Sequence, residues 1–330
     1  MGENKKRKCN IPIFIPHRGC PNACAFCNQK KITGVETDIT PDAARELIKK
    51  SLETIGEGDA EAAFFGGSFT GLDFELQKSF LAAANEFYPK ISGIRLSTRA
   101  DYIDEKIVDM LCEYNVTAVE LGVQSTDTDV LEKNLRGHGF EDVKKAAELI
   151  EGRDIELGLQ MMIGMYGSTP EKDIKTAEDI ISLKPQTTRI YPTVTLKGTK
   201  LEEYYKNGLY KPYSLEEAVE VSKEVYKRFE NAGVTVLRIG LHSSDELEDG
   251  SIVAGPYHPA FGELVFSRLC RDEIEKEIAV GGIRNCEYRV CAKPSEVSKI
   301  IGQKRCNAEY FKEKYNVLLK VCSETERKDC

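Results

Sequence analysis

At 330 residues and 41% hydrophobic content, the chain has apolar material for a barrel-sized domain plus a small appendage. It has no apolar run of the ~18 residues that a membrane helix needs, and Met1 to Lys8 is polar and basic with no apolar segment behind it, so neither a span nor a signal peptide is expected. The net charge of −8 is uneven: residues 1–264 carry −11 and residues 265–330 carry +3, which fits either a polyanion-binding appendage or an ordinary solvated surface.

The first strand candidate, Ile11–Ile15, runs into His17-Arg18-Gly19-Cys20-Pro21-Asn22-Ala23-Cys24-Ala25-Phe26-Cys27, with three cysteines inside eight residues. Three thiolates on one loop suit a [4Fe–4S] cluster and leave one iron without a protein ligand, open to chemistry. A zinc site of three cysteines and His17 is the alternative. A disulfide framework would strand an odd cysteine. The singly scattered Cys112, Cys270, Cys286, Cys291, Cys306 and Cys322 instead point to a reducing cytosol, hence a cytoplasmic protein. Cys286 and Cys291, spaced along a strand candidate, read as buried residues rather than a second site.

Beyond the cysteines, β-branched or aromatic runs alternate with amphipathic stretches of helical length. Strands are expected at Ala62–Phe65, Ile94–Ser97, Ala118–Val123, Glu156–Ile163, Thr188–Pro192 and Val234–Ile239. Helices are expected from Pro41 to Ile55, Asp73 to Tyr88, Asp104 to Tyr114, Phe140 to Glu151, Pro170 to Leu183 and Ser214 to Ala232. Thr40 before Pro41, and Ser214 three residues before Glu217, are N-terminal cap signals. Helical crossovers imply a parallel sheet, so the fold class is α/β, a partial (β/α)6 barrel whose site residues gather at the C-terminal strand ends. The cysteine loop falls at that end. So does Gly66-Gly67-Ser68, where two glycines let backbone approach a ligand or simply make a tight turn.

The Cys-x3-Cys-x-aromatic-Cys pattern after a first strand resembles the signature of radical S-adenosylmethionine (SAM) enzymes. Ser97-Thr98-Arg99-Ala100-Asp101, Glu120-Leu121-Gly122-Val123-Gln124-Ser125, Arg136-Gly137-His138, Gln160-Met161-Met162-Ile163-Gly164, Tyr191-Pro192-Thr193 and Lys197-Gly198-Thr199 further resemble the core of the Elongator catalytic subunit and its bacterial relatives, from about Ile11 to Tyr213. The resemblance implies a [4Fe–4S] cluster on Cys20, Cys24 and Cys27, with SAM on its open iron. It implies Phe26 against the adenine, Gly66, Gly67 and Ser68 near the amino acid moiety, Ser97 and Arg99 as SAM contacts, and Glu120 and Gln124 on the pocket floor. It also implies an electron donor such as a flavodoxin or ferredoxin. From the residues alone, Glu120 is equally an ion-pair partner of an arginine such as Arg99, Met161 and Met162 are core filler, and His138, in a glycine-flanked loop, is either a substrate contact or an ordinary surface residue. Two features depart from the Elongator pattern: the compact spacing of Cys20 and Cys24, and a remainder of only 66 residues after Leu264, into which an acetyltransferase domain does not fit.

A Gly/Pro-rich crossing, residues 242–264, holds His242-Ser243-Ser244-Asp245 and Gly255-Pro256-Tyr257-His258; it reads as a linker or a cover over the barrel, which occupies residues 1–241. The basic module, residues 265–330, reads as strand Asn285–Cys291, helix Pro294–Ile301, turn Gly302-Gln303-Lys304-Arg305, helix Asn307–Tyr315 and strand Asn316–Val321. That order resembles a minimal KH RNA-binding core, with Arg305 where the second turn glycine would stand, and it implies RNA contacts by Gly302, Lys304 and Arg305. The expected function is SAM cleavage to a 5′-deoxyadenosyl radical in tRNA base modification. The alternatives are a radical SAM enzyme acting on a small metabolite or protein side chain, and a non-catalytic, metal-stabilised RNA-binding protein.

Overall fold

Strands β1 (Cys9–Ile15), β2 (Ala60–Gly66), β3 (Gly93–Thr98), β4 (Val116–Gln124), β5 (Glu156–Ile163), β6 (Thr187–Pro192) and β8 (Thr235–Ile239) pair in parallel and in sequence order in the computed structural model; β7 is the two-residue Thr195–Leu196. The structure describes residues 9–15, 19–20, 24–28, 39–55, 60–241 and 250–323. Within them β1 and β8 do not pair, so the curled seven-stranded sheet is an open half-barrel.

The crossovers are α1 (Pro41–Ile55), α2 (Phe74–Asn85), α3 (Glu105–Glu113), α4 (Thr128–Lys133), α5 (Phe140–Ile150), α6 (Pro170–Ser182), α7 (Lys200–Lys206) and α8 (Leu215–Asn231). Local chemistry sets their starts. Thr40 Oγ1 accepts from Ala43 N, Asp73 from Glu75 N and Leu76 N, and Thr169 from Lys172 N ahead of Pro170 at the first helical position. Ser214 and Glu217 make the expected capping box. The short α4 and α7, unannounced by any long periodic run, are additions to the expected order.

Alternation along the strands divides the sheet. Ile11, Ile13, Ala62, Phe64, Ile94, Leu96, Val119, Leu121, Leu157, Leu159 and Ile190 form one face of the core beneath the helices. Phe64 is fully buried between Phe69 and Phe80, and truncating such a ring costs about 3–5 kcal/mol. The intervening residues Glu61, Arg95, Glu120, Gln160 and Arg189 line the concave face, so the half-barrel is apolar outside and polar within.

After β6 the chain forms β7, which pairs antiparallel with β9 (Ile252–Ala254). Tyr257 packs there against Val194 and Leu196, so the second half of the expected crossing lies on the loop that leaves β6. His242-Ser243-Ser244-Asp245 falls outside the described residues. A helix the sequence reading did not foresee, α9 (Phe261–Val280), follows. Its first turns bury Phe261 and Val265 in the barrel core, and its last turns bury Ile274 and Ile278 in a second core with Ala292, Ile300, Phe311, Val317 and Leu319. Arg268 and Asp272 on α9 pair with Glu220 and Lys223 on α8, the latter pair at 2.6 Å. The second core belongs to β10 (Glu287–Ala292), α10 (Val297–Ile301), α11 (Cys306–Tyr315) and β11 (Leu318–Ser323), the expected strand–helix–turn–helix–strand order, with β10 and β11 parallel. No helix among the described residues is long and apolar enough to cross a membrane.

Candidate active site

The polar face of the sheet ends in a row of ion pairs. Arg95 donates from Nε to Glu61 at 3.2 Å, from one terminal nitrogen to Glu120 at 3.0 Å and from the other to Glu156 at 3.1 Å. Arg189 donates to both oxygens of Glu120, at 2.5 and 3.0 Å. Burial opposes the charge on Arg95, and Glu120, Glu61 and Glu156 around it more than offset that, holding its pKa above the ordinary value. Glu120 therefore does have arginine partners, but they are Arg95 and Arg189 rather than Arg99. The register sets Arg95 beside Ala118, two residues before Glu120, and Arg189 beside Gln160, level with Gly122 two residues after it, so the two arginines reach Glu120 diagonally from either side; Arg99 lies four residues beyond Arg95.

Above that layer, the loops at the C-terminal strand ends are laced together. Ser68 Oγ lies 2.9 Å from Thr98 Oγ1, Thr70 Oγ1 lies 2.6 Å from the same oxygen, and Arg99 N donates to Ser68 Oγ at 3.2 Å. The loops after β2 and β3 thus share one buried hydroxyl knot beside Gly66, whose φ of +101° only glycine adopts readily. The cysteine loop passes against the first of these loops with no room for a side chain. A Cβ on Gly71 would stand 1.9 Å from the Gly19 carbonyl oxygen, and one on Gly19 would stand 2.1 Å from the Ser68 oxygen.

Cys20 and Cys27 are half-buried, and Cys24 is 5% exposed. Cys27 N donates to Cys24 O at 3.0 Å, Ala25 N to Asn134 O at 2.9 Å, and Leu201 N to Ala25 O at 2.7 Å, which anchors this turn between the loop after α4 and the start of α7. One arginine reaches the thiol: Arg136 points a terminal nitrogen at Cys24 Sγ, 3.6 Å away, and its other nitrogen at Gly122 O, 2.5 Å away. A Cβ on Gly122 would meet that guanidinium at 2.9 Å, so the glycine leaves it space. Arg99 donates to Arg136 O at 2.9 Å and grips Asp101 with two nitrogens, at 2.9 and 2.8 Å. Burial opposes the charge on Arg99, and Asp101 more than offsets it; the same pair holds the Asp101 carboxyl below its usual range despite its burial.

The remaining expected residues are spread along this rim. Ser97 pairs in register with Glu120 on the polar face. Gln124 is buried where β4 bulges, with φ of +68° and Oε1 accepting from Gln160 at 3.3 Å; a non-glycine residue held there carries about 1–3 kcal/mol of local strain. Phe26 packs against Val130, Met162 and Met165 with Tyr191, while Met161 is in the main core. His138 is only 8% exposed, which corrects its reading as a surface residue. Burial first and then the charge of Arg136 push its pKa down to about 4, against the nearby Asp101 carboxylate, so it is neutral at pH 7. Arg136, Gly19 and Gly71 carry roles that spacing did not reveal. Arg136 stood in a quoted motif without an assignment, and the close pass of two glycines exists only once the chain is folded.

His17 and Pro21-Asn22-Ala23 lie outside the described residues. Among those described, no three Cys, His, Asp or Glu side chains already stand as a metal-binding group. The donor set nonetheless suits an iron–sulfur cluster: three thiols on one loop, none in a disulfide, with a fixed cation at Cys24 to balance thiolate charge.

On the C-terminal module, Lys304 and Arg305 are exposed with left-handed φ of +51° and +64°. Gly302 is buried. A Cβ there would meet Cys306 Sγ at 2.5 Å. Cys286 is exposed just before β10, which corrects its reading as buried.

Comparison with known proteins covers both halves of the chain. The radical SAM superfamily model matches residues 14–180, and that of a radical SAM C-terminal domain matches residues 185–271. The tRNA uridine(34) acetyltransferase of Methanocaldococcus jannaschii is 34% identical over 57% of this chain and 39% of its own length. Elongator complex protein 3 of Bos taurus is 24% identical over 86% of this chain and 60% of its own. The chain thus spans less than two thirds of either relative. Among solved structures, the archaeal Methanocaldococcus infernus Elp3 aligns over 84% of this chain and 63% of its own with a TM-score of 0.62 and 27% identity. Coproporphyrinogen III oxidase of Escherichia coli shares the fold, at a TM-score of 0.52 and 16% identity over 69% of this chain and 54% of its own. With a polar half-barrel, a three-cysteine loop at its C-terminal rim and a family match over half of its length, the chain belongs to the radical SAM superfamily, whose enzymes use a [4Fe–4S] cluster and S-adenosylmethionine.

Proposed function

We propose that this protein cleaves SAM reductively at the rim of the half-barrel and uses the resulting radical to modify a base of tRNA. The observation that carries the reading is the cysteine loop, seated against Gly71 and under Arg136 at the C-terminal end of β1. A [4Fe–4S] cluster bound there would supply the electron for the reductive cleavage of SAM. Cys20, Cys24 and Cys27 hold it, and Arg136 balances charge at Cys24. Gly66, Gly67 and Ser68, fixed by the hydroxyl knot, present backbone to the SAM amino acid group. Ser97 and Arg99 contact SAM, Phe26 packs on the adenine, and Gln124 and Glu120 form the pocket floor, where Glu120 holds Arg95 and Arg189 in place.

The substrate reading rests on the relatives named for tRNA uridine(34) and on the basic tail. In that reading residues 1–241 are the catalytic barrel, 242–264 the cover, and 265–330 the module that grips RNA backbone through Gly302, Lys304 and Arg305. The setting is cytoplasmic, with a flavodoxin or ferredoxin as electron donor. The test is anaerobic: reconstitute the protein with iron and sulfide, add SAM and dithionite, and measure 5′-deoxyadenosine with and without bulk tRNA. Formation accelerated by tRNA is expected. No 5′-deoxyadenosine despite a loaded cluster overturns the catalytic reading, and formation indifferent to tRNA overturns the substrate reading.

A further inference from the structure

Cys291 and Cys322 are direct partners in the parallel register of β10 and β11, and their sulfurs lie 2.7 Å apart. In-register neighbours on adjacent strands point their side chains to the same face, and that shared direction is what a disulfide requires of its two Cβ atoms. The face is the outer one. Tyr288, Val290, Leu319 and Val321 turn inward onto the second core, while Glu287, Arg289, Leu318 and Lys320 are exposed on the side that carries the two thiols. Glu287, four residues before Cys291, pairs at 2.6 Å with Lys320, two residues before Cys322, so the strands are already held side by side. Both thiols are half-buried, within reach of a small oxidant.

We propose that Cys291 and Cys322 are a reversible dithiol–disulfide site in the C-terminal module, with hydrogen peroxide as the oxidant class. One thiol attacks a peroxide oxygen, breaking the O–O bond and giving a sulfenic acid and one water. The second thiol displaces the hydroxyl as another water and forms the S–S bond, so the two thiols lose two electrons and two hydrogens to peroxide. A small thiol reductant reverses it by exchange. The bond closes a loop of 31 residues that contains α10, the Gly302–Arg305 turn and α11. No barrel cysteine takes part. The cytoplasmic setting proposed above agrees, because disulfides there are transient and responsive rather than structural.

The experiment treats the full-length reconstituted protein anaerobically with a few equivalents of hydrogen peroxide, alkylates remaining thiols, and maps peptides by mass spectrometry before and after dithiothreitol. A Cys291–Cys322 linked peptide is expected as the dominant cross-link, about 2 Da lighter than its two reduced halves, cleaved by dithiothreitol. In the Cys291→Ser variant, Cys322 should remain singly modified with no new partner. Circular dichroism of that variant separates a chemical effect from a failure to fold, and Cys322→Ser gives the reciprocal check. Both residues recovered as separately alkylated thiols, or either joined equally to Cys286 or Cys306, would overturn the proposal.

Discussion

Asp173 sits in the first turn of α6, 2% exposed, and receives three hydrogen-bonding groups: Gly164 N donates to Oδ2 at 2.9 Å, Tyr213 donates its hydroxyl to the same oxygen at 3.0 Å, and Ser168 Oγ stands 2.5 Å from Oδ1. Burial pushes the carboxyl up to about 6 from its ordinary 3.8, against the lowering by these donors. The folded protein therefore keeps a proton that the unfolded chain has released, and between those values folded binds more protons than unfolded. Stability from this group is fully present below about pH 4 and is lost as pH rises through about 6. A displacement of about 2 pKa values corresponds to ~3 kcal/mol. Asp173→Asn removes the titration and keeps the geometry, since an amide oxygen accepts from Gly164 and Tyr213 while the amide nitrogen donates to Ser168 Oγ. Urea unfolding of both proteins at pH 4 and pH 7.5 should show the variant gaining ~3 kcal/mol relative to the parent across that interval. A difference that is flat, or that moves the other way, refutes the burial argument.

Four further outcomes are expected. Replacing Cys20, Cys24 or Cys27 by Ala should abolish cluster assembly and SAM cleavage together, and a full [4Fe–4S] absorption spectrum in any one variant contradicts that ligand set. Gly71→Ala forces a methyl group into the Gly19 carbonyl and should cost about 1–3 kcal/mol while reducing iron content after reconstitution; unchanged iron loading counts against the close pass. Glu120→Gln takes a carboxylate from buried Arg95 and the carboxylate partner of half-buried Arg189, costing about 3–5 kcal/mol in urea unfolding, and adding Arg189→Met should recover part of it. Changing Lys304 and Arg305 to Glu should weaken tRNA binding in gel shifts and flatten its salt dependence by a slope of about 1–2; affinity untouched by the change removes the RNA role of this turn.

The barrel strands were legible because each is a short run of β-branched and aromatic residues between amphipathic helices, and parallel pairing follows from the crossovers. Glu156–Ile163 and Pro41–Ile55 appear in the structure with the expected limits. The α9 helix was not legible: its apolar residues serve one core in its first half and another in its second, so no single stripe runs its length. At the site, the three cysteines announce themselves by type and spacing. Arg136 does not, because a cation becomes informative only when folding sets it against a thiol 112 residues away. His138 misled for a related reason. Flanking glycines suggest an exposed loop, yet the loop folds back onto Asp101 and Arg99, and the ring is buried. The thiol pair of the tail required the register of β10 with β11, which two isolated strand patterns do not fix.

The helix α9 also sets a mechanical relation. Because one unbroken rod of 20 residues, about 30 Å long, roots one end in the barrel and the other in the small module, the module is held as a bracket rather than hung as a tether. Adding or deleting a single residue in that rod would not merely move the module by ~1.5 Å; it would swing it through about 100° around the helix axis. The chain thereby encodes an orientation in a residue count, and whatever surface the module offers is set at one angle to the barrel only.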